Sequence, residues 1–330
     1  MKPMVLSPRV QSGFGLVELM VAMTIGLVLL GGIGYVFIGS RGAFRTTDNL
    51  SRMQENARYA LDMMSRDIRM AGYLGCGNMA AIRVNTIANP PVPQMTPGNA
   101  LIGYDNGSGW ANPSTVAWTA GDGDVLSVMG AFSSGVNLTG NLAPQNANIQ
   151  VSSNPDGFQA GDVLVVTNCV NADVVKATSV SNSGTTITVA HSNSSNTGNR
   201  IGVYGPDAFL MKVNQYSYFI GTNPAGNRAL YRVGLNGNAE ELVENVWDMQ
   251  FRYGVDANAD GATDSYTATP GNWAQVVSVR VSLLMRSPDD NLSTSTQAVT
   301  FDNGTFNAPD RRLYQVYSAT VAVRNRLPPM

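Results

Sequence analysis

The hydrophobic pattern changes twice along the chain, and each change marks a different kind of element. From Phe14 to Gly39 nearly every position is apolar or small, FGLVELMVAMTIGLVLLGGIGYVFIG, with Glu18 as the only charge. A helix rises 1.5 Å per residue and needs about 20 apolar residues to cross a bilayer; Leu19–Ile38 supplies them. A cleaved secretory signal would carry an apolar run of only about 7–15 residues followed by a small-residue site. This run is longer and ends at Ser40-Arg41, so it reads as a span. Between residues 44 and 74 the pattern becomes periodic. Met53, Ala57, Leu61, Met64, Ile68 and Ala71 recur at steps of three and four, the stripe of an amphipathic helix. Gly72 and Gly75 punctuate its end. One helix from about Phe14 to Ala71 is expected, its first half in lipid or a filament core and its second half on a globular head.

From about residue 77 short runs rich in Val, Ile, Thr and Tyr alternate with Gly, Asn, Pro and Asp clusters, the texture of strands and turns. The expected strands are Val125–Met129, Val163–Thr167, Thr185–Ala190, Gln215–Ile220, Ala229–Val233, Trp247–Tyr253, Val276–Met285 and Tyr314–Val323. Residues 88–120, 131–160 and 286–310 read as long polar loops. The fold class is α+β, a long N-terminal helix packed on an antiparallel β-sheet head.

Composition narrows the chemistry. The 330 residues carry 21 Lys plus Arg against 23 Asp plus Glu, and 13% are charged, against about 25% in an average soluble domain. The deficit is filled by Asn, Ser, Thr and Gly. A net charge of −2 leaves no basic excess for neutralising phosphates, so direct nucleic-acid binding is not expected. One His and two Cys are too few for a zinc cage of the usual Cys/His type. His191 lies in the polar run HSNSSNTGN and is expected at the surface. No nucleophile elbow, Walker loop or dinucleotide fingerprint is present, so an enzyme is not expected.

Glu18 stands out. A carboxylate inside an apolar helix costs about 2.5–3.5 kcal/mol at the membrane centre, and much less where the side chain sits near the helix start and reaches the headgroups. Position alone leaves both readings open. Spacing adds a third consideration, because cleavage after Gly13 would leave a free α-amine on Phe14, one helical turn from the Glu18 carboxylate. That amine could neutralise a neighbour's Glu18 when helices stack in register. The glycines of Gly31-Gly32-Ile33-Gly34 each weaken a helix by about 0.5–1 kcal/mol relative to Ala. They either let helices pack closely or stretch, or reflect the higher frequency of Gly in membrane helices.

The run Gly13-Phe14-Gly15-Leu16-Val17-Glu18-Leu19 resembles the processing site of type IV prepilins and pseudopilins, with Ser12 where many leaders carry Lys or Arg. The resemblance implies that a prepilin peptidase cuts between Gly13 and Phe14 and that Phe14 is then N-methylated. It also implies that Glu18 guides entry into a growing filament. Residues 52–61 and 65–76, with Asp310–Tyr314 and Thr320–Arg326, resemble the PilW branch of minor pilins. The implied layout is a leader at 1–13, a transmembrane and filament-core helix at 14–39, the periplasmic half of the helix at 40–75, and a β-rich head at 76–330. The implied protein is a single-pass inner-membrane minor pilin with a periplasmic head that later enters a surface filament. It would help prime pilus assembly near the tip, with other minor pilins, the major pilin and a large tip adhesin as partners. A minor pseudopilin of type II secretion, or a surface-binding tip module, is the alternative.

In an exported head the only two cysteines, Cys76 and Cys169, are expected to form a disulfide. Asp256, Asn258, Asp260 and Asp264, around Gly261, reproduce the opening of a calcium loop, but Thr267 occupies the place of the bidentate Glu. The alternative is an acidic Asn/Asp/Gly turn without metal. No cofactor is certain; calcium is the one candidate.

Overall fold

The computed structural model describes residues 15–75, 79–89 and 95–326. The chain forms two compact units, Met1–Ser51 and Arg52–Met330, and one helix, Leu16–Met70, runs from the first into the second.

In the first unit the helix is an apolar rod with no cover of its own. Leu16, Leu19, Leu27, Val28, Leu30, Ile33, Val36 and Ile38 are all exposed. The helix is long and apolar enough to cross a membrane, and none of its apolar window is buried. Thr24 donates its hydroxyl to the Met20 carbonyl at 2.7 Å, so its one polar group is satisfied within the helix. A Cβ added at Gly31, Gly32 or Gly34 would meet nothing within 4 Å, so no contact inside the chain requires glycine there.

In the second unit the helix becomes a packed element. Met53, Ala57, Ala60, Met64, Ile68 and Ala71 are buried in one cluster with residues of two sheets. Leu61 is only half-buried; Ala60 takes its place at the centre of the stripe. The first sheet has nine strands built around the 14-residue strand Phe209–Thr222. The start of that strand pairs with Val163–Thr167, and its later part with Val125–Ala131 and Arg228–Val233, all antiparallel. One pair departs from the antiparallel expectation: Arg83–Thr86 runs parallel to Asn171–Lys176. The second sheet has the order Ser265–Thr267, Val246–Val255, Val276–Arg286, Tyr314–Ala322, antiparallel throughout. Its strands alternate as the pleat demands: Met249, Phe251 and Tyr253, with Val279, Val281, Leu283 and Met285, face the helix cluster. Tyr253 fills the space above Gly103, where a Cβ would stand 1.7 Å from its hydroxyl, so only glycine fits.

The helix C-terminus is satisfied from two directions. The chain beyond it turns through Gly72 at φ 76° and joins the strand Val125–Ala131, Gly72 N–H donating to Met129 O at 2.8 Å and Ala131 N–H to Tyr73 O at 2.7 Å. The Asn325 amide donates to the carbonyls of Arg69 and Ala71 at 3.4 and 3.2 Å. Free carbonyls at a helix end need such partners, and they tie the last strand to the first helix. All eight expected strands are present; five are longer than expected, Val163–Thr167 is as expected, and Ile187–Ala190 and Tyr314–Ala322 are shorter. The segments read as loops also hold short strands, among them Leu101–Tyr104, Asn148–Val151 and the hairpin Ala298–Phe301 with Gly304–Asn307. Their few apolar residues gain partners only through tertiary pairing, which a local pattern does not display.

Candidate functional site

The expected cleavage and methylation positions, Gly13 and Phe14, lie outside the described residues. Glu18 sits in the first turn of the helix, where a negative side chain meets the positive end of the helix dipole. Among the described residues it takes part in no ion pair. Leu16, Val17, Leu19, Met20 and Val21 around it are all exposed. The arrangement is one carboxylate at the head of an uncovered apolar rod. Its chemistry is to seek a cation, and its surroundings are those of a surface that packs on lipid or on other helices.

The acidic loop is a hairpin turn between Val246–Val255 and Ser265–Thr267. Asp256, Asn258, Asp260 and Asp264 come together there, but they close on their own backbone. Asp256 Oδ1 accepts from the Ala259 and Asp260 amides, and its Oδ2 accepts from Gly261 at 2.7 Å. Asp260 Oδ1 accepts from Ala262, and Asp264 Oδ2 accepts from Ala257, both at 2.8 Å. Among the described residues no three carboxylate, imidazole or thiol side chains are grouped to hold a metal ion. The twelfth position holds Thr267 in place of Glu, and the hydrogen bonds within the loop are those of an acidic Asn/Asp/Gly turn.

Cys169 follows the strand Val163–Thr167 with φ 70°, and its N–H donates to Thr167 Oγ1 at 3.2 Å. Its expected partner Cys76 lies outside the described residues. Among the described residues no cysteine is free.

His191 corrects the sequence reading. It is fully buried, not superficial, and neither ring nitrogen has a hydrogen-bond partner among the described residues. Burial pushes its imidazole below the ordinary value. The polar run around it concealed a side chain facing inward beside the strand Ile187–Ala190.

The sequence reading also missed a polar clamp between helix and sheet. Asp67 is 5% exposed; it accepts from the Tyr218 hydroxyl at 2.5 Å and from Arg232 at 3.5 Å. Burial, the larger influence, raises its carboxyl despite both donors. Arg232 also pairs with Glu240 at 2.8 Å and lies over the Tyr216 ring. The signal was available: steps of four and three from Met53 run through Ala57, Ala60 and Met64 to Asp67 and Ala71, placing the acid on the buried stripe. Asp124 is a second buried carboxylate. It joins the two sheets by accepting from the Asn106 amide at 2.8 Å and the Phe251 amide at 2.9 Å, and burial pushes it up to about 6. Asp162, which like Asp124 follows a glycine and precedes a strand, is instead paired with Lys212 at 2.8 Å.

Comparison with known proteins follows the same division. Residues 8–34 match the prokaryotic N-terminal methylation motif, and residues 217–325 match the family of the type IV pilus-assembly protein W. A type IV-like pilin from Thermus thermophilus is similar at 13% identity, over 86% of this chain and 98% of that chain, with a TM-score of 0.32. No curated protein matches significantly. The methylation motif thus falls at the head of the apolar helix, and the β-rich head follows it, the layout that the resemblance to type IV pilins implies. The PilW match lies in the head and covers about a third of the chain, so it marks a similarity of that region to the PilW family.

Proposed function

We propose that this chain is a structural subunit that helps prime type IV pilus assembly and is incorporated near the filament tip. The observation that carries the reading is the contrast at the N-terminus: an entirely uncovered apolar helix with one carboxylate in its first turn, directly after a prepilin-type Gly13-Phe14 junction. Such a rod needs lipid before assembly and neighbouring helices after it. A prepilin peptidase would free the Phe14 amine, and methylation would follow there. Glu18 would then be held by the amine of an adjacent subunit, a charge pair that stabilises only the in-register stack. The head would face the periplasm from a single-pass inner-membrane anchor and then travel to the cell surface, with other minor pilins, the major pilin and a large tip adhesin as its contacts.

The test is Glu18→Ala in cells, scored for membrane insertion and for surface pili. Insertion is expected to be unchanged and pili to fall several-fold or vanish; normal pilus numbers would remove the role of Glu18. A deletion strain assayed in parallel for twitching and for type II secretion separates pilus from pseudopilin, loss of twitching with intact secretion being the expected result. Mass spectrometry of the mature protein should find N-methylated Phe14, and an intact Met1 would refute processing.

A further inference from the structure

The sheets present several edges, and most are protected in the ways that prevent unwanted strand pairing. Ala239–Glu244 carries Glu240, Glu241 and Glu244, and its pairing is interrupted by a bulge. Arg83–Thr86 and Leu101–Tyr104 have four residues each, and Ser265–Thr267 has three. Tyr314–Ala322 differs from all of them. It is nine residues long, YQVYSATVA, with no charge, no proline and no register shift against its one sheet partner, Val276–Arg286.

The hydrogen-bond phase shows which groups this edge offers. Val323 N–H donates to Val277 O at 2.8 Å, and the register continues as Ala322 opposite Ser278 and Val321 opposite Val279. In an antiparallel ladder, bonded and non-bonded pairs alternate, so Val321, Ala319 and Tyr317 bond inward. Ser318, Thr320 and Ala322 turn their N–H and C=O groups outward. All three are exposed, and no described residue pairs with those backbone groups. Nearer the strand's start, Tyr314 N–H is already taken by the Gln297 side chain, so the open stretch begins beyond it.

Charge selects among strands that could add there. Arg324 follows the strand and forms one wall of a groove of about 390 Å³ whose other lining includes Arg66, Arg69 and Asp62. Among the described residues none of the three arginines is in an ion pair. At the other end of the strand stands the exposed Arg311. The strand itself carries no acidic residue to meet these arginines, so a second copy of it is not matched to this edge.

We infer that the outer edge of Tyr314–Ala322 accepts an extended strand from a different polypeptide, one that is uncharged along Ser318–Ala322 and acidic where it meets Arg324, Arg66 and Arg69. Main-chain bonds would supply affinity and the arginine groove would supply selectivity, as in strand addition to an open sheet edge. The inference goes beyond the filament reading and does not depend on it, since it concerns the purified chain alone.

The test uses the full chain in detergent micelles with two synthetic peptides, acetyl-EETVSVTV-amide and acetyl-KKTVSVTV-amide, read by hydrogen–deuterium exchange and by titration. The acidic peptide is expected to slow exchange at Ser318, Thr320 and Ala322, and to bind at least tenfold more tightly than its lysine twin. Thr320→Pro removes one outward N–H at a site where an edge tolerates proline; it should abolish the protection with no fall in melting temperature. If that variant fails to fold, the exposed Arg324→Glu carries the test, reversing the preference between the peptides. No protection by either peptide, equal binding by both, or concentration-dependent protection of the edge by the chain itself would each overturn the inference.

Discussion

One helix meets two different demands, and the difference between its halves explains most of the molecule. Around Ile33 its apolar side chains point in all directions and none is covered. Around Ile68 the apolar side chains keep to one stripe, which is fully buried against two sheets. The first half therefore contributes nothing to head stability and depends wholly on what surrounds it. The second half belongs to the head's own core, where each large side chain is worth about 2–5 kcal/mol against truncation.

The sharpest way to break this comparison is to make one substitution at both places. Ile68→Asp buries an unpaired carboxylate; the head is expected to lose more than about 4 kcal/mol and to unfold near ambient temperature, as followed by near-ultraviolet circular dichroism. Ile33→Asp should leave the head's melting temperature unchanged and instead reduce membrane insertion, seen by fractionation. Equal melting temperatures for the two variants would contradict the assignment of the halves.

Next in size is the cysteine pair. A Cys76–Cys169 bond would tie the segment after the helix to the end of the strand Val163–Thr167. On the chain-entropy model a closed loop of roughly 90 residues contributes up to about 4–5 kcal/mol, and removing such a bond from a head of this kind costs about 2–5 kcal/mol. The non-reduced protein should resist thiol alkylation when unfolded. Cys169→Ser should lower the melting temperature to that of the reduced wild type, and two alkylated thiols without reductant would refute the bond.

Legibility followed the same boundary. The exposed half of the helix was readable because lipid-type patterning needs no partner to be recognised, and the main strands were readable because alternating Val, Ile and Tyr survive as a local signal. Asp67 and His191 were not. A charged residue in a helix and a histidine among serines and asparagines look solvated until tertiary contacts are known. The steps that chose Leu61 and Ile68 passed over Ala60 and Asp67, which share the buried face. The acidic loop was readable as a turn, yet only its hydrogen bonds show that Asp256 spends both oxygens on backbone amides. The long strand Phe209–Thr222 was shortened to Gln215–Ile220 in the sequence reading because its first residues alternate polar and apolar less cleanly, and they are held by pairing with Val163–Thr167.

A smaller effect separates the halves by pH. His191 belongs to the head, and burial lowers its affinity for a proton, while the unfolded chain binds one near the ordinary value of about 6.5. The unfolded state thus holds more protons as pH falls through that value, and head stability is lost on the acid side and fully present above it. The buried Asp67 and Asp124 act in the opposite sense, since burial raises them and their ionisation weakens the fold as pH rises. His191→Leu isolates the histidine. Denaturant melts at pH 7.5 should differ from wild type by less than about 1 kcal/mol, because Leu occupies the buried site without a polar group to satisfy, and the variant should gain on wild type at pH 5. Parallel curves at both pH values would place the proton elsewhere.

The smallest effect on the chain itself falls in the uncovered half, at Gly31, Gly32 and Gly34. Nothing within 4 Å opposes a Cβ at any of them, and Ala is the better helix former by about 0.5–1 kcal/mol per position. Replacing all three with Ala should therefore leave the head's melting temperature unchanged and make the anchor helix firmer, visible as slower amide exchange from about residue 28 to 38. If glycine serves only because membrane helices tolerate it, the Ala variant should assemble pili as well as wild type. If small size or local stretching is needed where neighbouring helices meet, pilus number should fall although the subunit is folded and inserted. That outcome would locate the selection for glycine outside the chain, in the contacts made by the half of the helix that the head never covers.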